Sequence, residues 1–400
     1  MSLRQFRESD PPGELLRHRP WLVWIGSSAM ARLPMAMTSL AMVLVGEAGT
    51  GSLAVGTQLA GIVNLCSGVF GPPAGRAFDR VELRAAVRLT LAGLAFILLA
   101  MLPVVWLGAP LWALYVLSVL LGLAMAGLWG GLRALLLVTV PAAQLRRAHF
   151  AESLLVEFAA VVGPALVAVL VMVGRVAAAI IVMAVLSLLA AWGMRRIPAL
   201  PPASGTRTSL LPPRDVGTVG ILVAIVGMGY GLLVAAAPLR MGEYGLDAGA
   251  TGWFMAALSA GACLGGLAVS VRPVPARRAR PVAAALLFGT ALLVLPSAVA
   301  TTGLAYGAAL FVAGLGMVPL NGLLATEIES RLGLSRRAEG FSYFGSASVA
   351  GGAMGYFAVG ALSGWCVPAT VSLLSSALFA ALAITLTCSH LKSRRPTLAG

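Results

Sequence analysis

Long apolar stretches alternate with short polar segments along the whole chain, and each stretch is about as long as the 20 residues that a helix needs to cross the hydrocarbon core. Dividing the chain at charged residues, Pro and Gly turns and losses of hydropathy gives twelve such stretches. The strands of an outer-membrane barrel would instead alternate over about ten positions. The pattern therefore predicts an all-α integral membrane protein with twelve transmembrane helices.

The predicted spans divide into two sets of six. They cover residues 20–46, 52–74, 85–107, 110–140, 150–173, 176–196, 216–240, 249–271, 281–301, 303–327, 339–363 and 366–390. The longest polar segment lies between the sixth and seventh spans and is rich in proline, which predicts a flexible linker. The predicted organisation is an N-terminal tail at 1–19, a six-helix bundle at 20–196, a linker at 197–215, a second six-helix bundle at 216–390 and a C-terminal tail at 391–400.

Composition and charge narrow the class further. Hydrophobic residues make up 59% of the chain and charged residues 10%, against about 25% charged in soluble domains. With the N-terminus inside, 24 of the 28 Arg and Lys residues fall in loops on the inner side. This asymmetry predicts that both termini are cytoplasmic in a cell membrane. The same asymmetry explains the net charge of +14 as basic residues that set the membrane topology. No nucleic-acid partner is therefore expected.

The two predicted bundles resemble each other in sequence. Residues 122–133 in the fourth span align without gaps to residues 314–325 in the tenth, with six identities in twelve positions. Part of this match reflects the abundance of Leu, Gly and Ala. The matching position within the two bundles favours an internal duplication.

A short motif stands between the second and third spans. Residues 75–84 read Gly-Arg-Ala-Phe-Asp-Arg-Val-Glu-Leu-Arg and resemble the G-x-x-x-D-R/K-x-G-x-R/K-R/K signature of the major facilitator superfamily. Glu82 stands where the family has its second Gly. Together with the twelve spans and the central linker, the motif extends the resemblance to the whole chain, and it implies a transporter of two six-helix bundles and not an enzyme.

The resemblance implies roles for particular residues. In the family the signature latches the cytoplasmic face of the two halves, so Asp79, Arg80 and Arg84 would form the latch and Gly75 the turn. A basic loop that only sets topology is the alternative. In the fifth span Gly163 and Pro164 resemble the core of a motif associated with antiporters of the family, without its flanking glycines. Such a pair can also be only a helix kink.

Three ionisable residues lie well inside predicted spans, where a charge costs about 2.5 kcal/mol or more unless it is paired or lines a cavity. Arg32 lies near the middle of the first span, and Arg133 and Glu157 lie at similar depths in the fourth and fifth. In the first and fourth spans, polar, methionine and aromatic residues recur at helical spacing around these charges and predict one wall of a substrate cavity. Two polar positions in the second half are predicted to face that wall. The predicted cavity residues are Ser28, Arg32, Met35, Ser39, Met125, Trp129, Arg133, Tyr230 and Asn321.

Glu157 is the carboxylate that this division of the chain places deepest, whereas Glu152 falls near the cytoplasmic end of the fifth span. A buried carboxylate beside an Arg is balanced between its two protonation states. Glu157 and Arg133 are therefore the predicted proton-coupling pair. A permanent ion pair that holds the fourth and fifth spans in register is the alternative.

The function expected from these features is secondary transport by alternating access, with the proton gradient as the energy source and no cofactor or metal. Neither a P-loop nor a metal-ligand motif occurs in the chain. The substrate expected is a small amphipathic, anionic or neutral organic molecule, exported by a monomer. Two alternatives stay open: proton-coupled uptake of an organic acid bound by Arg32, and a non-transporting scaffold or sensor built on the same fold.

Overall fold

All regular elements in the described part of the chain are helical. The structure, a computed structural model, describes residues 18–106, 110–140, 145–199, 214–247, 250–270, 279–332, 337–362 and 368–394. The α-helices in chain order are α1 (Arg19–Thr50), α2 (Leu53–Asp79), α3 (Leu83–Trp106), α4 (Leu111–Ala126), α5 (Leu128–Ala134), α6 (Leu145–Gly193), α7 (Arg214–Glu243), α8 (Thr251–Ser270), α9 (Ala279–Val299), α10 (Gly303–Gly314), α11 (Met317–Leu332), α12 (Arg337–Leu362) and α13 (Pro368–Arg394).

The helices confirm the membrane class. Ten helical stretches in the described residues are long and apolar enough to cross a bilayer, and a shorter apolar stretch covers Phe158–Val173. The helix α12 adds 26 residues, many of them Gly, Ala and Ser. The number of twelve crossings and the cytoplasmic position of the termini remain predictions. The central linker falls almost entirely outside the described residues, so the domain boundaries also remain predictions.

The predicted fifth and sixth spans are joined in one helical element, α6, of 49 residues. A straight helix of that length would extend about 74 Å, more than twice the hydrocarbon thickness. Arg175 has a positive φ of 59°, and the chain reverses there. Gly163 packs against Ala36 of α1, while Gly193 packs against Ser27 of the same helix. The turn predicted near residue 175 is therefore present. It divides α6 into a first arm (residues 145–174) and a second arm (residues 176–193) with no loop between them.

The predicted fourth and tenth spans are each broken. Gly127 separates α4 from α5, and α5 continues into a 3-10 turn at Leu135–Val138. A second break at Leu315 and Gly316 separates α10 from α11. Both breaks lie inside the two segments that align with each other in sequence. Hydropathy did not indicate them because the apolar character continues through both.

The two halves contact each other along two pairs of helices, α2 with α12 and α6 with α8. Glycines permit the close approach. A Cβ on Gly68 of α2 would come within 2.8 Å of the Ala350 backbone nitrogen, and one on Gly252 of α8 within 2.1 Å of the Pro164 carbonyl oxygen. The Ser259 hydroxyl also donates to the Ala160 carbonyl at 3.2 Å. Backbone-to-backbone contact of this kind can form and separate without repacking large side chains.

Candidate functional site

The site is built where α1, α5 and α6 meet in the first half. Trp24 of α1 is fully buried and donates from its indole Nε1 to the Leu132 carbonyl of α5 at 3.0 Å. This bond fixes α5 against α1 one position before Arg133. The first arm of α6 packs along α1 as well. Three segments that lie far apart in sequence therefore present their polar side chains to one another.

Two arginines hold one carboxylate at this junction. The Arg32 Nη2 donates to Oε1 of Glu152, and the Arg133 Nε donates to Oε2 at 2.9 Å. The side chains of Arg32 and Glu152 are 1% and 3% exposed, whereas that of Arg133 is 40% exposed. Among these three side chains there are two positive charges and one negative charge. Arg32 is the buried cation, and Arg133 lies at the exposed rim.

Trp129 completes the cluster on α5. Its ring lies under the Arg32 guanidinium, with 5.0 Å from Cζ to the ring centroid, and the residue is 41% exposed. The stacking holds the guanidinium by a cation–π contact. Nε and Nη1 of Arg32 are buried and have no hydrogen-bond partner among the described residues. Arg32 thus keeps donor capacity that the described fold does not use.

Glu152 is the functional candidate that sequence reasoning missed. The sequence placed it near the cytoplasmic end of a fifth span that begins at residue 150. In the structure α6 begins at Leu145, and the Glu152 side chain is 3% exposed where it pairs with Arg32. Glu157 lies in α6 as predicted, but its side chain is outside the described residues. Its expected pairing with Arg133 therefore remains a prediction.

The remaining cavity residues of the first half surround this cluster at different depths. Ser28 is fully buried in α1, and Met35 and Met125 are each 5% exposed in the core of the first half. Ser39 accepts a hydrogen bond from the Asn64 amide at 3.1 Å. Ser28, Met35 and Ser39 lie on α1, which carries part of the site, whereas Met125 lies on α4. Met35 and Met125 are placed as packing residues.

The two cavity residues predicted in the second half lie in different surroundings. Tyr230 of α7 is 5% exposed in the core of that half, with its ring centroid 5.1 Å from that of Phe379. Asn321 of α11 is partly exposed. The described charged site therefore belongs to the first half.

The motif at residues 75–84 has a different geometry from the one expected. Gly75 does not form the turn, because α2 continues to Asp79 and a Cβ at Gly75 would meet no atom within 4 Å. The helix ends at Arg80 with φ −89° and ψ −9°, an ordinary conformation that needs no glycine. The Arg80 side chain is exposed, and that of Asp79 lies outside the described residues.

Arg84 connects this motif to the end of α6. Its Nε donates to Glu82 at 3.1 Å, and its Nη1 donates to the Ile197 carbonyl at 3.0 Å. Glu82, the residue that departs from the family signature, therefore orients Arg84. Glu82 lies in the first half and Ile197 is the first residue of the predicted linker, so a latch between the halves remains a prediction.

Phe78 links the motif to the charged cluster. Its ring lies against Gly127 and Gly131, where a Cβ would come within 2.9 and 3.0 Å of ring atoms. These two glycines flank Trp129 on α5 and let the helix approach α2. A displacement of the end of α2 would therefore press directly on the helix that carries Trp129 and Arg133.

Gly163 and Pro164 lie inside α6. Gly163 faces α1 at Ala36, and the Pro164 carbonyl faces Gly252 of α8. The pair is therefore positioned at the contact between the halves. Its role in kinking the helix stays a prediction.

The cysteines and acidic residues of the described ranges do not form a metal site. Within those ranges, no group of three or more His, Cys, Asp or Glu residues is arranged to hold a metal ion. Cys66 is a free thiol.

Comparison with known proteins gives one family and a set of similar folds. The family model described as Major Facilitator Superfamily matches residues 24–356. The structure is similar to that of the POT family transporter PepTSo, with a TM-score of 0.73, 10% identity and coverage of 94% of this chain and 99% of that one. No curated protein sequence matches the chain.

Two further solved structures share the fold. The nucleoside transporter NupG has a TM-score of 0.69 at 12% identity, covering 92% of this chain and 99% of that one. The human organic anion transporter MFSD10 (TETRAN) has a TM-score of 0.65 at 12% identity, covering 94% of this chain and all of that one. At these identities the likeness extends to the fold alone.

Proposed function

Because the chain belongs to the major facilitator superfamily, a family of membrane transporters and not of enzymes, we propose that it carries a small organic anion together with a proton. The two halves would alternate between an outward-open and an inward-open state around the Arg32, Glu152 and Arg133 cluster. We place the protein as a monomer in the cell membrane. Proteins of similar fold are named as transporters of peptides, nucleosides and organic anions, so the choice of substrate rests on the site.

One observation carries this proposal: the buried guanidinium of Arg32 retains two nitrogens, Nε and Nη1, that have no hydrogen-bond partner in the described structure. A buried donor left without an acceptor costs about 1–3 kcal/mol. A ligand with a carboxylate or another strong acceptor would satisfy these donors. An anion beside Arg32 would gain both Coulomb attraction and charge-assisted hydrogen bonds from its guanidinium.

Coupling to protons follows from competition for the guanidinium groups. In the described state the Glu152 carboxylate occupies one donor on each arginine. If Glu152 takes up a proton, its hold on both arginines weakens, and an anionic substrate can replace it. The net charge of the cluster is then the same with substrate and proton bound as with neither. A nearby anion also favours the protonated acid, so the two ligands would bind and move together.

A second candidate function is supported by the apolar side of the same site. Trp129 is 41% exposed beside the arginines, and a flat exposed indole suits a neutral amphipathic molecule. Such a molecule could donate hydrogen bonds to the Glu152 carboxylate. It would then compete with the proton instead of accompanying it, which is the requirement for export by proton exchange. The contact between Pro164 and Gly252 joins the two halves. It is compatible with transport in either direction across the membrane.

Transport by purified protein in liposomes tests both candidates. Vesicles are loaded at one pH and diluted into another, in the presence of radiolabelled monocarboxylates or neutral aromatic compounds. Cotransport predicts that anions accumulate in vesicles with an alkaline interior, whereas exchange predicts that neutral compounds accumulate in vesicles with an acidic interior. Protein-free liposomes and an Arg32→Gln variant are the controls. If neither gradient drives accumulation of any tested compound beyond the controls, the proposal of proton-coupled transport is wrong.

A further inference from the structure

A groove between α3 and the second arm of α6 lies outside the charged cluster described above. It has a volume of about 390 Å³ and is lined by Ala85, Arg88, Leu89, Ala92, Ala191, Trp192 and Arg195. Two arginines and a tryptophan stand among small and apolar residues. None of these residues contributes to the proposed transport site.

The polar part of the groove has unused hydrogen-bonding capacity. Nε of Arg88 is buried and has no hydrogen-bond partner among the described residues. Arg195 is exposed at the end of the second arm of α6. Arg196 stacks on Trp192, with 4.3 Å from its Cζ to the ring centroid, and this contact holds the indole beside the groove. An anion between Arg88 and Arg195 would receive hydrogen bonds from both sides.

The groove lies at one end of the bundle and opens on its outer surface. Arg84, one turn before Arg88 on α3, donates to the carbonyl of Ile197 just beyond the second arm of α6, so both helices reach the same level here. Leu89 is 74% exposed and Trp192 is 53% exposed. Large exposed apolar side chains on a membrane helix face acyl chains, and tryptophan concentrates at the boundary between lipid and water.

We propose that this groove binds an anionic phospholipid. The headgroup phosphate would lie between Arg88 and Arg195, with the Trp192 indole at the level of the glycerol backbone. One acyl chain would run along Leu89 and Ala92. The combination of a cationic pocket with an apolar wall that continues into the membrane fits a lipid with a phosphate headgroup better than a soluble anion, because it satisfies both parts of the same molecule.

Native mass spectrometry of the full chain in detergent tests the proposal. Phosphatidylglycerol and phosphatidylcholine with identical acyl chains are titrated against wild type, R88Q, R195Q and the double variant. R19Q is the matched control, since Arg19 is an exposed arginine at the start of α1 and does not line the groove. We expect phosphatidylglycerol to bind more tightly than phosphatidylcholine. Each groove substitution should weaken its binding about fivefold and the double variant about thirtyfold.

Three results would overturn the proposal. Equal binding of the two lipids would show that the headgroup charge is not recognised, and an equal loss in R19Q would show that attraction is spread over the whole face. Displacement of phosphatidylglycerol by millimolar inorganic phosphate would identify a site for the free ion. Thermal unfolding of each variant is measured in parallel. Because Arg195 is exposed, R195Q tests the groove even if R88Q does not fold.

Discussion

The guanidinium of Arg32 and the carboxylate of Glu152 form a buried ion pair between α1 and α6, although 120 positions separate them in sequence. Removing one partner of a buried pair leaves an uncompensated charge, at a cost of about 3–5 kcal/mol. The pair therefore holds only while both charges are present. Protonation of Glu152 would weaken it, and an anionic ligand could then replace the carboxylate at Arg32.

Substituting Arg32 by lysine should separate charge from geometry. Lysine keeps the positive charge, but a single ammonium cannot lie flat on Trp129, bond Glu152 and present two further donors in one plane. We expect the KM for an anionic substrate to rise tenfold or more, as the loss of a charge-assisted hydrogen bond implies. Initial rates of uptake into liposomes measure the KM. An Arg19→Lys variant should behave as wild type, and an unchanged KM in Arg32→Lys would remove the substrate role of Arg32.

Trp129 should contribute through its ring. The exposed cation–π contact with Arg32 is worth about 0.5–2 kcal/mol, so Trp129→Ala should weaken substrate binding by roughly 2- to 30-fold. Trp129→Phe should restore part of the loss, because a smaller aromatic face remains. Isothermal titration with a transported substrate measures the difference. The comparison variant is Trp106→Ala, at the exposed end of α3; an equal effect there would argue against a specific role for Trp129.

Gly252→Ala should disturb the contact between the halves. The added methyl would come within 2.1 Å of the Pro164 carbonyl oxygen, so α8 must move away from α6. Cysteines at positions 160 and 259, in a chain with the natural cysteines replaced by serine, report the separation through the yield of disulfide crosslinking. We expect a lower yield in Gly252→Ala. Gly220→Ala, where a methyl would meet no atom within 4 Å, should leave the yield unchanged; equal yields in both variants would contradict the account.

Arg240 should stabilise the end of α7 without acting on the substrate. Its Nη1 donates to Glu243 at 2.7 Å, and its Nη2 donates to the Tyr244 hydroxyl at 2.5 Å and to the Ala300 carbonyl at 2.9 Å. We expect Arg240→Gln to lower the free energy of unfolding by about 2–3 kcal/mol and to leave the KM unchanged. Scanning calorimetry of the detergent-solubilised protein measures the first effect. A changed KM with unchanged stability would reverse the assignment.

The same cluster predicts a pH dependence. Partial desolvation raises the pKa of the Tyr244 phenol above its ordinary value of 10.0. Both folded and unfolded chains then keep the phenol neutral below about pH 9, and the contribution of Tyr244 to stability is constant there. Above about pH 10 the phenol ionises more readily in the unfolded chain, so this contribution is lost as the pH rises further. Tyr244→Phe should weaken that dependence in thermal unfolding measured between about pH 8 and pH 11.

Most of the helical architecture could be predicted from hydropathy, because the lipid allows only long apolar helices in such a chain. The residues 75–84 also indicated the family correctly. Hydropathy could not locate the break at Gly127, since the segment stays apolar on both sides. At that break the Phe78 ring packs against Gly127, a tertiary contact on which hydropathy carries no information.

The candidate site could be predicted only in part for a related reason. Arg32, Trp129 and Arg133 could be singled out because charged and aromatic side chains are conspicuous within apolar spans. Glu152 was missed because its pairing with Arg32 joins positions 120 apart in sequence, and hydropathy gives no information about such a tertiary contact.

The most direct test of the coupling mechanism is proton uptake driven by substrate in liposomes, compared among wild type, Glu152→Gln, Glu157→Gln and a Glu82→Gln control. The amide introduced by Glu152→Gln would keep the shape of the side chain but could not carry the proton. We predict that Glu152→Gln abolishes the substrate-driven pH change, whereas Glu82→Gln retains it. If Glu152→Gln stays coupled and Glu157→Gln does not, the proton site is Glu157, and the coupling role proposed for Glu152 is wrong.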